Sequence, residues 1–232
     1  MPVTIKELHD WDVTPQEAIR LQNELAPQVN TSDRLLVETV RLVAGVDVSV
    51  KDNLSRAAVV VLRFPALDVI ETVTADRPTT FPYVPGLLSF REIPALLPLF
   101  RELKTHPALV LCDGQGIAHP RRMGLATHLG LVFDLPCLGW AKSRLIGEYR
   151  EPSLGRGHAS ELMDRGEQIG WVLRSRERTR PTFVSPGHRV SMEQALGLAR
   201  MLMGRYRLCE PARQAHALTR EVARQFKESR QT

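Results

Sequence analysis

Two aspartates interrupt or directly follow apolar runs, where an unpaired carboxylate is costly. Asp47 interrupts the run Leu42–Val50, and no turn residue follows it until Lys51. Asp113 directly follows the apolar run Leu109–Cys112. Buried carboxylates destabilise a fold unless a cationic group offsets their charge, and hard divalent cations prefer carboxylate oxygens. The two runs therefore predict a metal site at which both aspartates meet.

A purely structural role is the alternative for each candidate side chain. Either aspartate could cap a turn or pair with an arginine. Glu92 is the third candidate acid, but Ser89–Glu92 also matches a capping box, in which its carboxylate would only satisfy a helix N-terminus. Lys142 follows the apolar run Cys137–Ala141, where a lysine is usually a surface residue.

The composition is that of an ordinary basic globular protein. The chain has 232 residues, 43% hydrophobic and 25% charged, and we predict one domain over residues 1–232. The formal net charge of +5 favours a polyanionic partner, but only mildly. No apolar run approaches the ~20 residues of a membrane span, and no secretory signal pattern opens the chain. Three cysteines without CxxC spacing predict buried free thiols and a cytoplasmic location.

The order of the predicted elements indicates an α/β fold. Short connections join three strands into an antiparallel meander: Arg41–Val50, Ala57–Phe64 and Asp68–Ala75. A strand, a helix and a strand follow over Ala108–Ala141, which is typical of a parallel crossover. The polar stretch Gly147–Gly166 is predicted to be a long loop. The other predicted elements are a helix from Pro15 toward Val29, a helix over Phe90–Leu103, strands Gln168–Arg174 and Thr182–Val184, and helices beginning near Ser191 and Pro211.

Two prolines fall inside the helix that would carry Glu92. Pro94 and Pro98 both lack a backbone N–H, and Pro98 lies too deep for the first turn. We therefore expect this helix to be irregular, or to begin later than the capping box suggests. The preceding Phe81–Gly86 contains two prolines and a glycine, so it cannot be regular structure.

Six motifs occur in an order that resembles one nuclease family. Signatures of P-loop proteins, dinucleotide-binding folds, zinc proteases and serine hydrolases are absent from the sequence. The motifs present are, in order, Asp47 after its strand, Pro82–Glu92, Asp113–Arg121, Gly139–Ser143, Leu145–Tyr149 and Val184–His188. Together with Tyr206–Leu208 and Ala215–His216, they resemble the endonuclease V family, the deoxyinosine 3′ endonucleases, from about Arg41 onward.

The resemblance implies a fold, an activity and a cofactor. The implied fold is ribonuclease H-like, with a mixed sheet of antiparallel and parallel strands flanked by helices. The implied activity is DNA repair: recognition of hypoxanthine, which is deaminated adenine, and hydrolysis of the second phosphodiester bond 3′ to it. Mg²⁺ is the implied cofactor, with Mn²⁺ as a substitute. The implied partner is deoxyinosine-containing DNA and not a membrane, and we expect a monomer.

The resemblance also implies roles for individual residues. The implied metal-binding acids are Asp47, Glu92 and Asp113, and the implied catalytic set adds Lys142 and His216. His188 is an alternative to His216 as the site histidine. Tyr83, held between Pro82 and Pro85, matches a strand-separating wedge. The remaining implied substrate-binding residues line a base pocket or contact the backbone: Gly86, Leu88, Gly114, Gly116, His119, Arg121, Gly139 and Leu145.

Three other functions are alternatives. An inactive nucleic-acid-binding domain of the same fold would keep the basic surface but lose one or more of the acids. Another ribonuclease H-like nuclease, such as a resolvase, would share the acids but lack the Pro-Tyr-Val-Pro wedge. A family member that cleaves at inosine in RNA is the third alternative, because the motifs do not settle the preferred sugar.

Overall fold

The computed structural model describes residues 3–32 and 35–228 of the chain. Eight strands are present in this part: β1 (Leu42–Lys51), β2 (Leu54–Arg63), β3 (Val69–Pro78), β4 (Leu109–Cys112), β5 (Cys137–Ala141), β6 (Ala159–Asp164), β7 (Glu167–Leu173) and β8 (Thr182–Pro186). The helices described are α1 (Pro15–Leu25), α2 (Leu88–Glu102), α3 (Leu125–Phe133), α4 (Met192–Leu202) and α5 (Glu210–Glu228).

The strands form one mixed sheet in the order β3-β2-β1-β4-β5-β8-β7-β6. β1, β2 and β3 are an antiparallel meander, as the short connections predict. β4 and β5 add in parallel beside β1, with α3 as the crossover. β8, β7 and β6 complete the sheet with antiparallel pairs. The predicted mixed α/β fold is confirmed, and β4 and β5 end close together, with the end of β4 beside the middle of β1.

Both faces of the sheet are buried, which fixes these strand ends. Val43 and Leu109 belong to the core beneath α4 and α5, whereas their neighbours Ala44 and Val110 belong to the core beneath α2 and α3. This alternation follows from the two-residue period of a strand. Side chains that follow the apolar runs are therefore held on a rigid support.

The close approach of α5 to β1 depends on Gly45. A Cβ atom at this position would lie 1.9 Å from the carbonyl oxygen of Pro211, in the first turn of α5. Any other residue would push the helix away from the strand. Because Asp47 lies two residues further along β1, on the same face, Gly45 brings it beneath α5.

The expectation of an irregular or late helix at Glu92 is wrong. α2 runs unbroken from Leu88 to Glu102 through both prolines. Pro98 cannot donate to the carbonyl of Pro94, but the guanidinium of Arg77 on β3 donates to that oxygen at 2.9 Å. An arginine from the sheet thus replaces the missing helical donor, which stabilises the continuous helix.

The capping box at Ser89 does not form. Leu87 is the N-cap of α2, without a side-chain hydrogen bond, and the Ser89 hydroxyl instead lies 2.9 Å from Nδ1 of His128. Glu92 therefore has no capping role and lies in the second turn. In contrast, the predicted box at Ser191 and Gln194 is present at the start of α4.

The segment predicted as a long loop contains a strand. Within 147–166, β6 pairs with β7 at the edge of the sheet. The sequence of β6 is polar because an edge strand exposes one face, so the composition of Ala159–Asp164 resembled that of a loop.

Elsewhere the three cysteines are free and buried, as predicted. Among the described helices, none combines the length and apolar character needed to cross a membrane.

Candidate active site

Three carboxylates come together where the central strands end. Asp47 is the sixth residue of β1, Asp113 directly follows β4, and Glu92 lies on α2 above them. All three line one small cavity of about 30 Å³, with Val46, Val48, Leu96 and Leu125 as its apolar walls. The parallel pairing of β1 with β4 brings the two aspartates together, since it places Val46 beside Cys112.

The surroundings of Glu92 favour a neutralising cation. Burial of its carboxyl group, together with the negative charges of Asp47 and Asp113, raises the pKa of Glu92 well above its ordinary value. Carboxylates around a cavity of this size are the donor set that Mg²⁺ and Mn²⁺ prefer. In residues 3–32 and 35–228, however, no three acidic, histidine or cysteine side chains already form a complete metal-binding cluster. The acids converge, and the two aspartates are engaged with other side chains.

Two residues of α5 hold Asp47. The Thr219 hydroxyl lies 2.6 Å from Oδ2, and Nδ1 of His216 lies 3.4 Å from Oδ1. Thr219 is buried, whereas the side chain of His216 is 41% exposed. His216 can therefore reach solvent or substrate, whereas the buried Thr219 hydroxyl contacts Asp47 and the carbonyl oxygen of His216 (3.0 Å).

Lys142 is paired with Asp113. Its ammonium group makes a short hydrogen bond to Oδ2 of Asp113, across the neighbouring ends of β5 and β4. The lysine side chain is 44% exposed and the aspartate side chain 19%. Lys142 is thus a surface residue, as lysines usually are, but one fixed at the acid cluster.

A larger pocket of about 380 Å³ adjoins the acids, and we call it the base pocket after the role that the resemblance implies. Asp113 and Leu125 line both this pocket and the acid cavity. Its wall contains many of the predicted substrate-binding residues: Tyr83, Pro85, Gly86, Leu88, Gly114, His119 and Leu145. Tyr83 is 70% exposed at the rim, and Pro82 beside it is also exposed. The pocket is therefore open on the side where the Pro82–Gly86 loop stands.

One carbonyl oxygen anchors the Pro82–Gly86 loop. The oxygen of Gly86 accepts hydrogen bonds from Nε2 of Gln22 (3.0 Å), Nε2 of His119 (2.9 Å) and Nη2 of Arg121 (3.0 Å). Nε of Arg121 also donates to Oε1 of Gln22 at 2.5 Å. The structure thus places Arg121 and His119 behind the loop, where they position it.

The environment of His119 fixes its protonation state. Burial, and then the positive charge of Arg121, lowers the pKa of His119 to about 4. The neutral ring donates from Nε2 to Gly86, and its Nδ1 accepts the N–H of Arg121 at 3.2 Å. Both ring nitrogens are therefore occupied at neutral pH.

Gly116 and Gly139 do not line the base pocket. A Cβ atom on Gly139 would lie 2.5 Å from the backbone nitrogen of Gly116, and one on Gly116 would lie 1.9 Å from the carbonyl oxygen of Pro186. The backbone N–H of Gly116 also donates to Ser185 Oγ at 2.8 Å. These two glycines let the Asp113 loop pack closely against β5 and β8, and so support the site from below.

His188 is separated from the acids. Its Nδ1 accepts the backbone N–H of Asn30 at 3.2 Å, and its Nε2 lies 3.7 Å from Oδ1 of Asp134. Cys137, whose backbone N–H donates to the carbonyl of His188, is at the beginning of β5. Since Lys142 follows the other end of β5, His188 lies at the opposite end of this strand. His216 is the histidine beside Asp47.

Sequence reasoning missed three polar residues of the site. Thr219 contacts Asp47, Gln22 holds the Gly86 loop, and the Gln115 amide donates to the Ser143 carbonyl at 2.9 Å. The signal for Thr219 was its position three residues after His216, which places both on one face of a helix. Gln22 and Gln115 gave no comparable signal, because their partners are backbone carbonyls distant in sequence.

The site belongs to an α/β protein in which helices flank a mixed sheet and three acids converge beside its central strands. The family model described as Endonuclease V matches residues 23–217. A relative named Endonuclease V from Nostoc punctiforme is 51% identical over 212 residues, which cover 90% of this chain and 96% of the relative. The chain therefore belongs to the endonuclease V family, and it is an endonuclease.

Solved structures of the same family share the whole fold. The crystal structure of Endonuclease V from Streptomyces avermitilis is 39% identical, with a TM-score of 0.88 over 98% of this chain and 100% of that one. A Ciona intestinalis Endonuclease V in complex with a 24mer DNA containing an inosine followed by a ribo-adenosine is 26% identical, with a TM-score of 0.81. That match covers 91% of this chain and 98% of the Ciona chain.

Proposed function

We propose that this endonuclease recognises hypoxanthine in a DNA strand and hydrolyses the second phosphodiester bond 3′ to that base, using Mg²⁺. The observation that carries the proposal is the shared wall of two cavities: Asp113 and Leu125 line both the base pocket and the acid cavity. A base held in the first cavity would keep its own strand beside the second. The Ciona relative, bound to inosine-containing DNA, supports the same substrate class.

The three acids would hold the metal ion. Asp47, Glu92 and Asp113 offer hard oxygen donors, and a cation among them would offset the charge that raises the pKa of Glu92. When bound, Mg²⁺ supplies a Lewis acid that activates water and stabilises the oxygen that leaves phosphorus. Mn²⁺ would fit the same oxygen ligands.

The chain's own residues orient the reacting groups. The Thr219 hydroxyl and His216 fix both oxygens of Asp47, so that carboxylate cannot rotate freely. Lys142 lies beside Asp113 and is exposed, and its ammonium group would contact a non-bridging oxygen of the scissile phosphate. Its positive charge would then stabilise the negative charge that grows on that oxygen as the bond breaks.

Extrusion of the base would depend on the Pro82–Gly86 loop. Unstacking a base costs a few kcal/mol, and a mispaired hypoxanthine lowers that cost. Tyr83 is exposed at the pocket rim, on a loop fixed through the Gly86 carbonyl. Its ring would fill the space that the extruded base leaves in the stack.

Cleavage at inosine in RNA is a second candidate function. The Ciona complex contains a ribo-adenosine after the inosine, so that relative accommodates a 2′-hydroxyl at this position. A cytoplasmic monomer stays our expectation for either substrate, and the three buried free thiols are consistent with a reducing compartment.

The experiment uses matched oligonucleotides that differ at one position only. Strands carrying deoxyinosine, inosine or deoxyadenosine are incubated with the enzyme and Mg²⁺, with chelator added to a parallel set, and the product lengths are mapped. We expect cleavage of the deoxyinosine strand at the second bond 3′ to the lesion, and none with chelator. Equal cleavage of the deoxyadenosine strand would contradict the proposal. Faster cleavage of the inosine strand would favour RNA as substrate.

A further inference from the structure

A second, basic cleft of about 620 Å³ opens beyond the acid cavity, and we call it the hairpin–helix cleft. The turn between β1 and β2 forms one wall, and α5 forms the other. Four cationic side chains line it: Lys51, Arg56, Arg220 and Arg224. Asp52 is the one carboxylate of the lining. Arg56 is ion-paired with Asp76 (3.3 Å). The excess positive charge of the lining therefore comes from Lys51, Arg220 and Arg224, and it suits a polyanion.

Both walls of the cleft begin at residues of the acid site. Along β1, Ser49 and Lys51 are two and four residues beyond Asp47, so all three share a face of the strand. Lys51 lies about 13 Å from Asp47 along the strand. Along α5, Arg220 and Arg224 are four and eight residues beyond His216, which is about 6 and 12 Å along the helix. The two walls therefore lead away from the acids together.

The cleft lies on the far side of the acids from the base pocket. The acid cavity shares Asp113 with the base pocket, and its residues Asp47 and Val48 directly precede Ser49 of the hairpin–helix cleft. Another basic pocket includes Arg178 and Arg180, but it shares Lys142–Arg144 with the base pocket, whereas the hairpin–helix cleft has no lining residue in common with the base pocket. A strand that runs from the base pocket across the acids would therefore enter the hairpin–helix cleft.

We propose that the hairpin–helix cleft binds the phosphates of the nucleotides 3′ to the scissile bond. This inference rests on the proposed function, in which the cut lies 3′ to the base, so the strand passes the acids in the 5′ to 3′ direction. The ~13 Å from Asp47 to Lys51 is long enough for the phosphates of only a few nucleotides. The cleft would thus supply the affinity for the downstream arm of the substrate.

The test varies the length of the 3′ arm. Single strands with one deoxyinosine carry 1, 2, 4, 6 or 10 nucleotides beyond the expected cut, and binding is measured by fluorescence anisotropy without divalent cations. The affinity of the unmodified enzyme should rise over the first few nucleotides of the arm and then stay constant. In the double variant Lys51→Ala/Arg220→Ala this rise should be lost, and the salt dependence of binding to long arms should fall by about two units of slope.

Two further variants distinguish an effect of the cleft on binding from a general loss of positive charge and from a loss of folding. Arg63→Ala/Arg101→Ala removes two exposed arginines, one at the other end of β2 and one at the far end of α2, and should keep the arm dependence. Lys51→Arg/Arg220→Lys retains both charges and should keep it as well. An unchanged arm dependence in Lys51→Ala/Arg220→Ala would overturn the inference. If the unmodified enzyme bound and cleaved deoxyadenosine strands equally well, the proposed function itself would fail.

Discussion

The hydroxyl of Thr219 lies 2.6 Å from Oδ2 of Asp47, and it reaches that carboxylate from a different element of the fold. Asp47 belongs to β1 and Thr219 to α5, more than 170 residues later in the chain. The contact exists because Gly45 allows α5 to lie close to β1. A buried hydroxyl therefore sets the orientation of one of the three acids.

Loss of this hydroxyl should weaken metal use without destroying the fold. Thr219→Val keeps the shape of the side chain but removes the hydrogen bond to Asp47. Substitutions of groups that orient metal ligands commonly cost about 10–100-fold in metal affinity or activity. We expect the Mg²⁺ concentration for half-maximal cleavage to rise within that range, and Thr219→Ser to restore it. Equal Mg²⁺ titrations for Thr219→Val and the unmodified enzyme would show that the contact is only structural.

Tyr83 should contribute to binding through its ring. Because the side chain is 70% exposed, Tyr83→Ala should fold normally and leave the acid cluster unchanged. The loss of stacking should weaken binding to deoxyinosine strands by about 1–3 kcal/mol and reduce the preference over undamaged strands. Tyr83→Phe retains the ring and serves as the matched control. Identical affinities of Tyr83→Ala and the unmodified enzyme for both strands would leave Tyr83 without a role as a wedge.

Lys142 should affect the rate more than the affinity. If its ammonium group stabilises charge that develops on the phosphate, Lys142→Ala should slow single-turnover cleavage at saturating enzyme far more than it weakens binding. A lysine that only contacts the backbone would instead lower affinity for all sequences and reduce the salt slope by about one. Lys142→Arg keeps the charge and is the control. An unchanged saturated rate in Lys142→Ala would refute the catalytic role.

Acid should release the Gly86 loop through His119. Burial and Arg121 lower the pKa of His119 from 6.5 to about 4, so the folded protein binds this proton more weakly than the unfolded chain. The corresponding contribution to the free energy of unfolding, about 3 kcal/mol, is therefore present above pH 6.5 and is lost as the pH falls toward 4. In denaturant titrations, His119→Gln should lose less stability than the unmodified enzyme between pH 7 and pH 4. Parallel losses would show that this histidine does not contribute.

The strand framework was predictable because its signals are local. Apolar runs and short connections predicted the existence and order of β1 to β5, although the start of β2 and the end of β3 were each misplaced by three residues. They also put Asp47 and Asp113 on neighbouring strands. The path of α2 was not predictable, since the donor that replaces the N–H of Pro98 comes from Arg77 on β3. β6 was missed because an exposed edge strand has the composition of a loop.

Site residues whose partners are distant in sequence were the hardest to predict. Gln22 lies on α1 and acts through the carbonyl of Gly86, 64 residues away. Gly116 and Gly139 were predicted from their small size, yet that size serves backbone packing and not space for a base. The expected contact of Arg121 with a nucleic-acid backbone stays a prediction, while the sequence did not indicate that its guanidinium also supports the Gly86 loop. For the two glycines and Arg121, the sequence indicated that the residue matters for the site, but it did not indicate which partner the residue contacts.

The most direct test of the account that joins the acid cavity to the base pocket measures cleavage and binding by Asp113→Asn. Asparagine keeps the size of the side chain but removes the charge that Lys142 contacts and that a cation would require. With a deoxyinosine strand and saturating enzyme, we predict that Asp113→Asn binds with affinity close to that of the unmodified enzyme but gives no cleavage in Mg²⁺. Mg²⁺-dependent cleavage by Asp113→Asn at the unmodified rate would contradict the account.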